Sequence, residues 1–166
     1  MKAEEIIKFL DLEPLAGEGG FFRQTYRSSD VLASNALSGL PEKIRRLGTA
    51  IYYLLTPDAC SRLHRLLSDE IYHFYLGDPV TLLRLFPDGA SDTVTLGQNI
   101  KNSACLQVVV PKRCWQGSFL NKGGSFALMG TTMAPGFASS DYEAGDRNGL
   151  IKAYPDRENL IRQLTR

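Results

Sequence analysis

Apolar and polar positions along this chain alternate over short stretches, and only at its two ends do they recur at helical spacing. Phe21–Arg27, Thr49–Leu55, the run from Glu70 to Gly77, Val80–Phe86, Thr93–Leu96, Cys105–Val110, Cys114–Phe119 and Ser125–Met133 each read as a strand. Gly17-Glu18-Gly19-Gly20, Thr56-Pro57-Asp58, Gly77-Asp78-Pro79, Pro87-Asp88-Gly89, Pro111-Lys112-Arg113 and Pro135-Gly136-Phe137 separate them with turn residues. In the first strand Phe22, Gln24 and Tyr26 share one face, and Arg23, Thr25 and Arg27 the other. Ile6, Ile7, Phe9 and Leu10 predict a short amphipathic helix over Ala3–Leu12, ended by Pro14. Leu160, Ile161 and Leu164 predict a closing helix over Asp156–Leu164, entered through Pro155. Ser28–Gly39, small and polar, predicts a loop long enough to act as a lid, and Asp141-Tyr142-Glu143 is too short to assign. Strands about ten residues apart, with no helix repeatedly following a strand, predict an all-β sandwich or barrel.

Composition narrows the picture. With 166 residues, 43% of them hydrophobic, the chain fits one domain over 1–166 with a real core. Nineteen lysines and arginines balance 18 acids to a net charge of +1, which argues against nucleic acid or an anionic membrane as the main partner. No apolar run reaches the roughly 20 residues of a membrane span, and the acidic start Met1-Lys2-Ala3-Glu4-Glu5 is unlike a secretory signal, so a cytoplasmic location is expected. Cys60, Cys105 and Cys114 lack metal-type spacing and read as idle thiols. No G-x-G-x-x-G, G-x-x-x-x-G-K or G-x-S-x-G motif occurs.

Chemistry concentrates between Ser61 and Gly77, which holds both histidines. Alternation puts Glu70, Tyr72 and Phe74 on one face of a strand and Ile71, His73 and Tyr75 on the other. The short Leu66-Leu67-Ser68-Asp69 connection folds His64 back beside Glu70. An imidazole and a carboxylate on one wall suit a divalent metal, or a general base with its orienting carboxylate, and spacing does not choose between them. His73, on the outer side, reads as a structural hydrogen-bonding residue.

His64, Glu70 and Gly77 stand in the register of G-x5-H-x-H-x3-4-E-x6-G, the first motif of the cupins, with Asp58 in place of the first glycine and Leu66 in place of the second histidine. The second cupin motif is met by Pro111 alone, with Arg113 for a glycine and Gln116 where a histidine ligand would stand. Glu18-Gly19-Gly20-Phe21-Phe22, Thr49–Leu55, Ser68-Asp69-Glu70, Trp115-Gln116 and Ala134-Pro135-Gly136-Phe137 narrow the likeness to one largely uncharacterised cupin family labelled a predicted sugar epimerase. The resemblance implies a double-stranded β-helix, or jelly-roll, barrel with short terminal helices.

Inside such a barrel, alternation places Tyr52 or its neighbour Tyr53, Phe74, Gln116 and Ser118 around the site as substrate-binding residues, and turns Trp115 outward toward the amino-terminal segment. The resemblance implies proton transfer next to a carbonyl in a sugar or similar small polar metabolite. His64 is then the base, Glu70 its orienting carboxylate, and Tyr72 the residue returning a proton from the other side. No cofactor is assigned. A divalent metal held by His64, Glu70 and Gln116 is one alternative, and a binding protein without turnover is the other. A homodimer is expected, because Gly20–Arg27 is an apolar strand free to pair with a second copy.

Overall fold

The computed structural model describes residues 1–33 and 44–165. In chain order the helices and strands are α1 (Ala3–Phe9), β1 (Glu13–Pro14), β2 (Phe21–Arg27), β3 (Val31–Ala33), β4 (Ile44–Arg46), β5 (Thr49–Leu55), β6 (Ser61–Arg65), β7 (Glu70–Gly77), β8 (Val80–Leu85), β9 (Ser91–Leu96), β10 (Gln107–Val110), β11 (Trp115–Leu120), β12 (Ala127–Met133), β13 (Glu143–Ala144), α2 (Arg147–Ala153) and α3 (Glu158–Leu164). A six-stranded sheet, ordered β1-β2-β5-β12-β7-β10, faces a five-stranded one, ordered β13-β6-β11-β8-β9, and β3 and β4 form a separate hairpin. All these pairings are antiparallel. The fold is the all-β sandwich that the alternating pattern implied, in the jelly-roll form that the family resemblance implied.

Between the sheets Tyr53, Leu55, Tyr72, Phe74, Leu82 and Met129 form a continuous apolar core. Helix α1 covers the outer face of the larger sheet, where Ile6 and Leu12 pack on Leu54 and Leu128. Helices α2 and α3 cover the smaller one, with Leu150, Ile161 and Leu164 against Leu63, Leu83 and Leu85. Strands buried on both faces carry little alternation, and so Ile51-Tyr52-Tyr53-Leu54-Leu55 reads in sequence as one apolar run.

Three expectations need correction. Trp115 packs with the carboxyl-terminal helices, not the amino-terminal segment. Helix α2 adds to the expected elements; its signal is the Asp146 cap, whose carboxylate accepts from the Gly149 amide at 2.7 Å. The Ser28–Gly39 loop contains β3, paired with β4 through Val31–Arg46, Leu32–Arg45 and Ala33–Ile44, while the rest of the expected lid, 34–39, lies outside the described residues.

A buried ion pair ties this hairpin to the body. Arg45 and Asp141 are almost wholly excluded from solvent; Arg45 Nη1 donates to Asp141 Oδ1 at 2.7 Å, and Nη2 donates to Asp141 Oδ2 and, at 2.8 Å, to the Gly136 carbonyl. Among the described residues no helix is long and apolar enough to cross a membrane.

Candidate functional site

The smaller sheet supplies two side chains to the cavity end of the sandwich. His64 on β6 and Gln116 on β11 are cross-strand partners, so both side chains project from one face at one level. The larger sheet supplies Glu70, the first residue of β7, from across the interior. The Gln116 side chain closes the gap: its Nε2 donates to Glu70 Oε2 at 2.6 Å and lies 3.4 Å from His64 Nε2. Each of these three residues is less than a tenth exposed.

The imidazole is fixed from behind. His64 Nδ1 lies 2.7 Å from the Arg62 carbonyl oxygen, which can only accept, so Nδ1 carries the proton of the neutral ring and Nε2 keeps its lone pair toward the interior. Tyr142 stacks on the ring at 5.3 Å between centroids, 19° from parallel. The orienting acceptor is therefore a backbone carbonyl and not Glu70, which corrects the role expected of that carboxylate.

A second carboxylate, Glu18, joins the site, with Oε2 3.8 Å from His64 Nε2 and Oε1 accepting from Ser61 Oγ at 2.8 Å. Its loop lies flat on the barrel. The Tyr53 hydroxyl donates to the Gly19 carbonyl at 2.9 Å, and the Arg62 amide donates to the Glu18 carbonyl at 2.9 Å. Gly19 and Gly20 both have positive φ, at 105° and 73°, and a Cβ on Gly19 would collide with the Cys60 carbonyl oxygen. Gly-Gly is thus what allows Glu18 to approach His64. The signal for Glu18 was present in Glu18-Gly19-Gly20, as an acid placed immediately before a left-handed turn.

Glu18, His64 and Glu70 line a cavity of about 630 Å³, its open mouth included, together with Tyr53 and Thr131 and an apolar rim of Phe22, Ile51, Leu66, Met133 and Phe137. That mixture of a few convergent polar groups with an apolar rim suits a small organic molecule. Burial, and then the charge of Glu18, hold the Glu70 carboxyl above its ordinary range against the opposing pull of His64, Thr131 and Gln116. The hydroxyls of Tyr53 and Tyr72 are pushed well above 10, first by burial and then by the charges of Glu18 and Glu70 respectively, so both stay protonated donors.

Several expected site residues stand elsewhere. Tyr52 faces outward, in edge contact with Tyr75 at 6.0 Å and under the Arg23 guanidinium; its neighbour Tyr53 is the one that lines the cavity. The parity of β5 decides this, because Thr49, Ile51 and Tyr53 share the inner face. Tyr72 and Phe74 point inward but pack in the core and do not line the cavity. Ser118 is fully buried, away from the cavity wall. His73 sits on the outer side, its Nε2 3.1 Å from Thr132 Oγ1 and its Nδ1 3.1 Å from Gln107 Nε2. The three cysteines are free, and burial pushes the Cys114 thiol up to about 11.

Residues 4–145 match the model of Cupin_5, described as cupin superfamily (DUF985). The chain belongs to this cupin family. Similar proteins include an uncharacterised protein of Saccharomyces cerevisiae, YML079W, 33% identical over 134 residues, a match spanning 75% of this chain and 66% of the yeast protein. Among solved structures, protein SO0799 of Shewanella oneidensis superposes with a TM-score of 0.86 at 35% identity over 100% of this chain and 98% of that one. A hypothetical protein from Leishmania major gives 0.89 at 30% identity over 99% of both. Oxalate decarboxylase of Bacillus subtilis, a protein with Mn(II) centres, shares the fold at 13–14% identity and a TM-score of 0.54, the match covering 94% of this cupin and 38% of the decarboxylase.

Such a metal can be tested against the residues of this cupin. Gln116 turns its amide NH2 toward His64 Nε2 and Glu70 Oε2 while its buried Oε1 has no hydrogen-bond partner, so a cation shared by the three would need this amide turned over. Leu66 lines the cavity where the family motif has its second histidine. Among the described residues no group of three or more His, Cys, Asp or Glu is placed to hold a metal ion. The donor set as arranged does not fit a divalent metal.

Proposed function

We propose that this cupin moves a proton next to a carbonyl of a small polar metabolite, as a sugar epimerase or isomerase does. The observation that carries the reading is the contact of His64 Nδ1 with the Arg62 carbonyl, which leaves Nε2 of the neutral ring facing the cavity as a base. His64 Nε2 takes the proton from the carbon. Glu70, on the facing sheet and with its proton affinity raised by burial, returns one, so the product is an epimer or isomer of the substrate. Glu18 stabilises the imidazolium that forms. This assigns to Glu70 the role expected of Tyr72. The test incubates the protein, dialysed against chelator, with sugars and sugar nucleotides in D2O. Deuterium should enter the carbon next to the carbonyl, and H64Q should lower its rate by about 10²–10⁴-fold. A panel with no exchange above buffer would overturn the reading.

One observation favours binding without turnover: the Gln116 amide already caps both His64 and Glu70. In that case a compound from the same panel should bind, H64Q should weaken it, and no deuterium should enter.

We also propose a homodimer. Beyond Phe22 the outer edge of β2 has no strand partner among the described residues, and Tyr26 on it is about half exposed. Light scattering at micromolar concentration should give twice the 18.4 kDa chain mass, and the single-chain mass would refute it.

A further inference from the structure

Next to the barrel cavity lies a second hollow of about 990 Å³, open solvent included, walled by the end of β2, the β3–β4 hairpin and the segment after β12. Gln24 and Phe137 line both spaces, so the two adjoin across these side chains. Their electrostatics are opposite. The barrel end holds Glu18 and Glu70, whereas the described residues of the second hollow include Arg27, Arg45 and Arg46 and no carboxylate. Arg45 is buried against Asp141, which neutralises it and leaves Arg27 and Arg46 to set the sign. Arg27 is exposed. Arg46 is half-buried and braced, its Nη1 donating to the Ser28 and Ser29 carbonyls at 3.3 and 3.0 Å, which holds the guanidinium in place at the wall.

We propose that this cleft is an anion subsite, and that the ligand of the protein is a phosphorylated carbonyl compound with its neutral reacting end in the barrel and its phosphate between Arg27 and Arg46. Two guanidinium groups match the oxygens of a phosphate, because each planar fork can donate paired charged hydrogen bonds in a geometry that a lysine ammonium lacks. The half-buried Glu18 carboxylate at the barrel end repels a phosphate there, which favours one direction of entry for an anionic ligand. Phe137 and Gln24, on the shared border, would flank the linking atoms. The proposal rests on the proton-transfer reading for the orientation of the ligand, but the anion site itself can be measured without turnover.

The experiment titrates the full chain with inorganic pyrophosphate by calorimetry, with sodium sulfate as the control anion. Saturable pyrophosphate binding is expected, tighter than sulfate and weakening as salt rises. R27A should lower the affinity about tenfold or more, and R27E should abolish it. Because the Arg27 side chain is exposed, both variants should keep the parent Tm; R46A, which also loses the two backbone contacts, is read only if its Tm is unchanged. H64Q should leave pyrophosphate binding intact. Affinity unchanged in R27E, equal binding of sulfate and pyrophosphate, or loss of binding in H64Q would overturn the subsite. Exchange on neutral sugars without pyrophosphate binding would overturn it and leave the barrel reading standing. Arginine-dependent pyrophosphate binding with no exchange on any carbonyl compound would support the subsite and sink the proton-transfer reading.

Discussion

Replacing Asp141 by alanine should destabilise the protein by about 3–5 kcal/mol, as expected when one partner of a buried ion pair is removed and the other is left in the interior. That is a large share of the roughly 5–15 kcal/mol by which domains of this size are stable. Asp141 and Arg45 are both less than a twentieth exposed, and the pair is bidentate, with Gly136 as a further acceptor for the guanidinium. The double variant Arg45→Met/Asp141→Leu should recover most of the loss, because it removes both desolvated charges together. Urea unfolding followed by circular dichroism reads both effects as shifts in midpoint. A single variant that loses less than about 1 kcal/mol would place the pair among those that contribute little.

The consequence extends to the site. Asp141 directly precedes Tyr142, the residue stacked on His64, and Gly136 precedes Phe137, which borders both hollows. The ion pair therefore holds the β3–β4 hairpin against the segment that covers the histidine. No pattern in the sequence announced it. Arg45 and Asp141 are 96 residues apart, and each lies in a stretch too short to show periodicity.

What was legible follows the physics of alternation and turns. Seven-residue β2, β5 and β12, each bounded by glycine or proline turns, are read from the sequence to within a residue or two. His64, Glu70 and Gln116 come together as their spacing and the cupin likeness implied. Tyr52 and Tyr53 could not be separated, because β5 is covered on both faces and parity has no polar residue to anchor it. Glu18 carries no periodic signal, because it reaches the site from a loop, and loop positions are fixed by contacts such as Tyr53 to Gly19. Tyr72 and Phe74 were given the right face but the wrong depth: alternation tells which side a residue takes, not whether the cavity reaches it.

Glu70→Gln should make the protein more stable at neutral pH while removing the proposed acid. Burial, and then Glu18, raise the folded-state pKa of Glu70 above its unfolded value of about 4.5. A carboxyl shifted in this direction contributes stability that is fully present below the unfolded pKa and is lost as pH rises through the folded one. As pH rises above the unfolded value the parent protein progressively loses that contribution, whereas a glutamine stays neutral at every pH and its carbonyl can still accept from the Gln116 amide that now bonds to Glu70 Oε2. The variant's Tm should therefore exceed the parent's at pH 7–8, and the gap should close below about pH 4, where Glu70 is protonated in both states. Such stabilisation on removing a strained charged group is the usual mark of a residue kept for function. A structural Glu70 held by favourable hydrogen bonds would behave oppositely, with E70Q less stable at pH 7–8. Thermal scans at pH 4 and pH 7.5 on both proteins, beside deuterium exchange on the carbonyl panel, separate the two: higher Tm with lost exchange supports a functional carboxylate, and lower Tm at pH 7.5 refutes it.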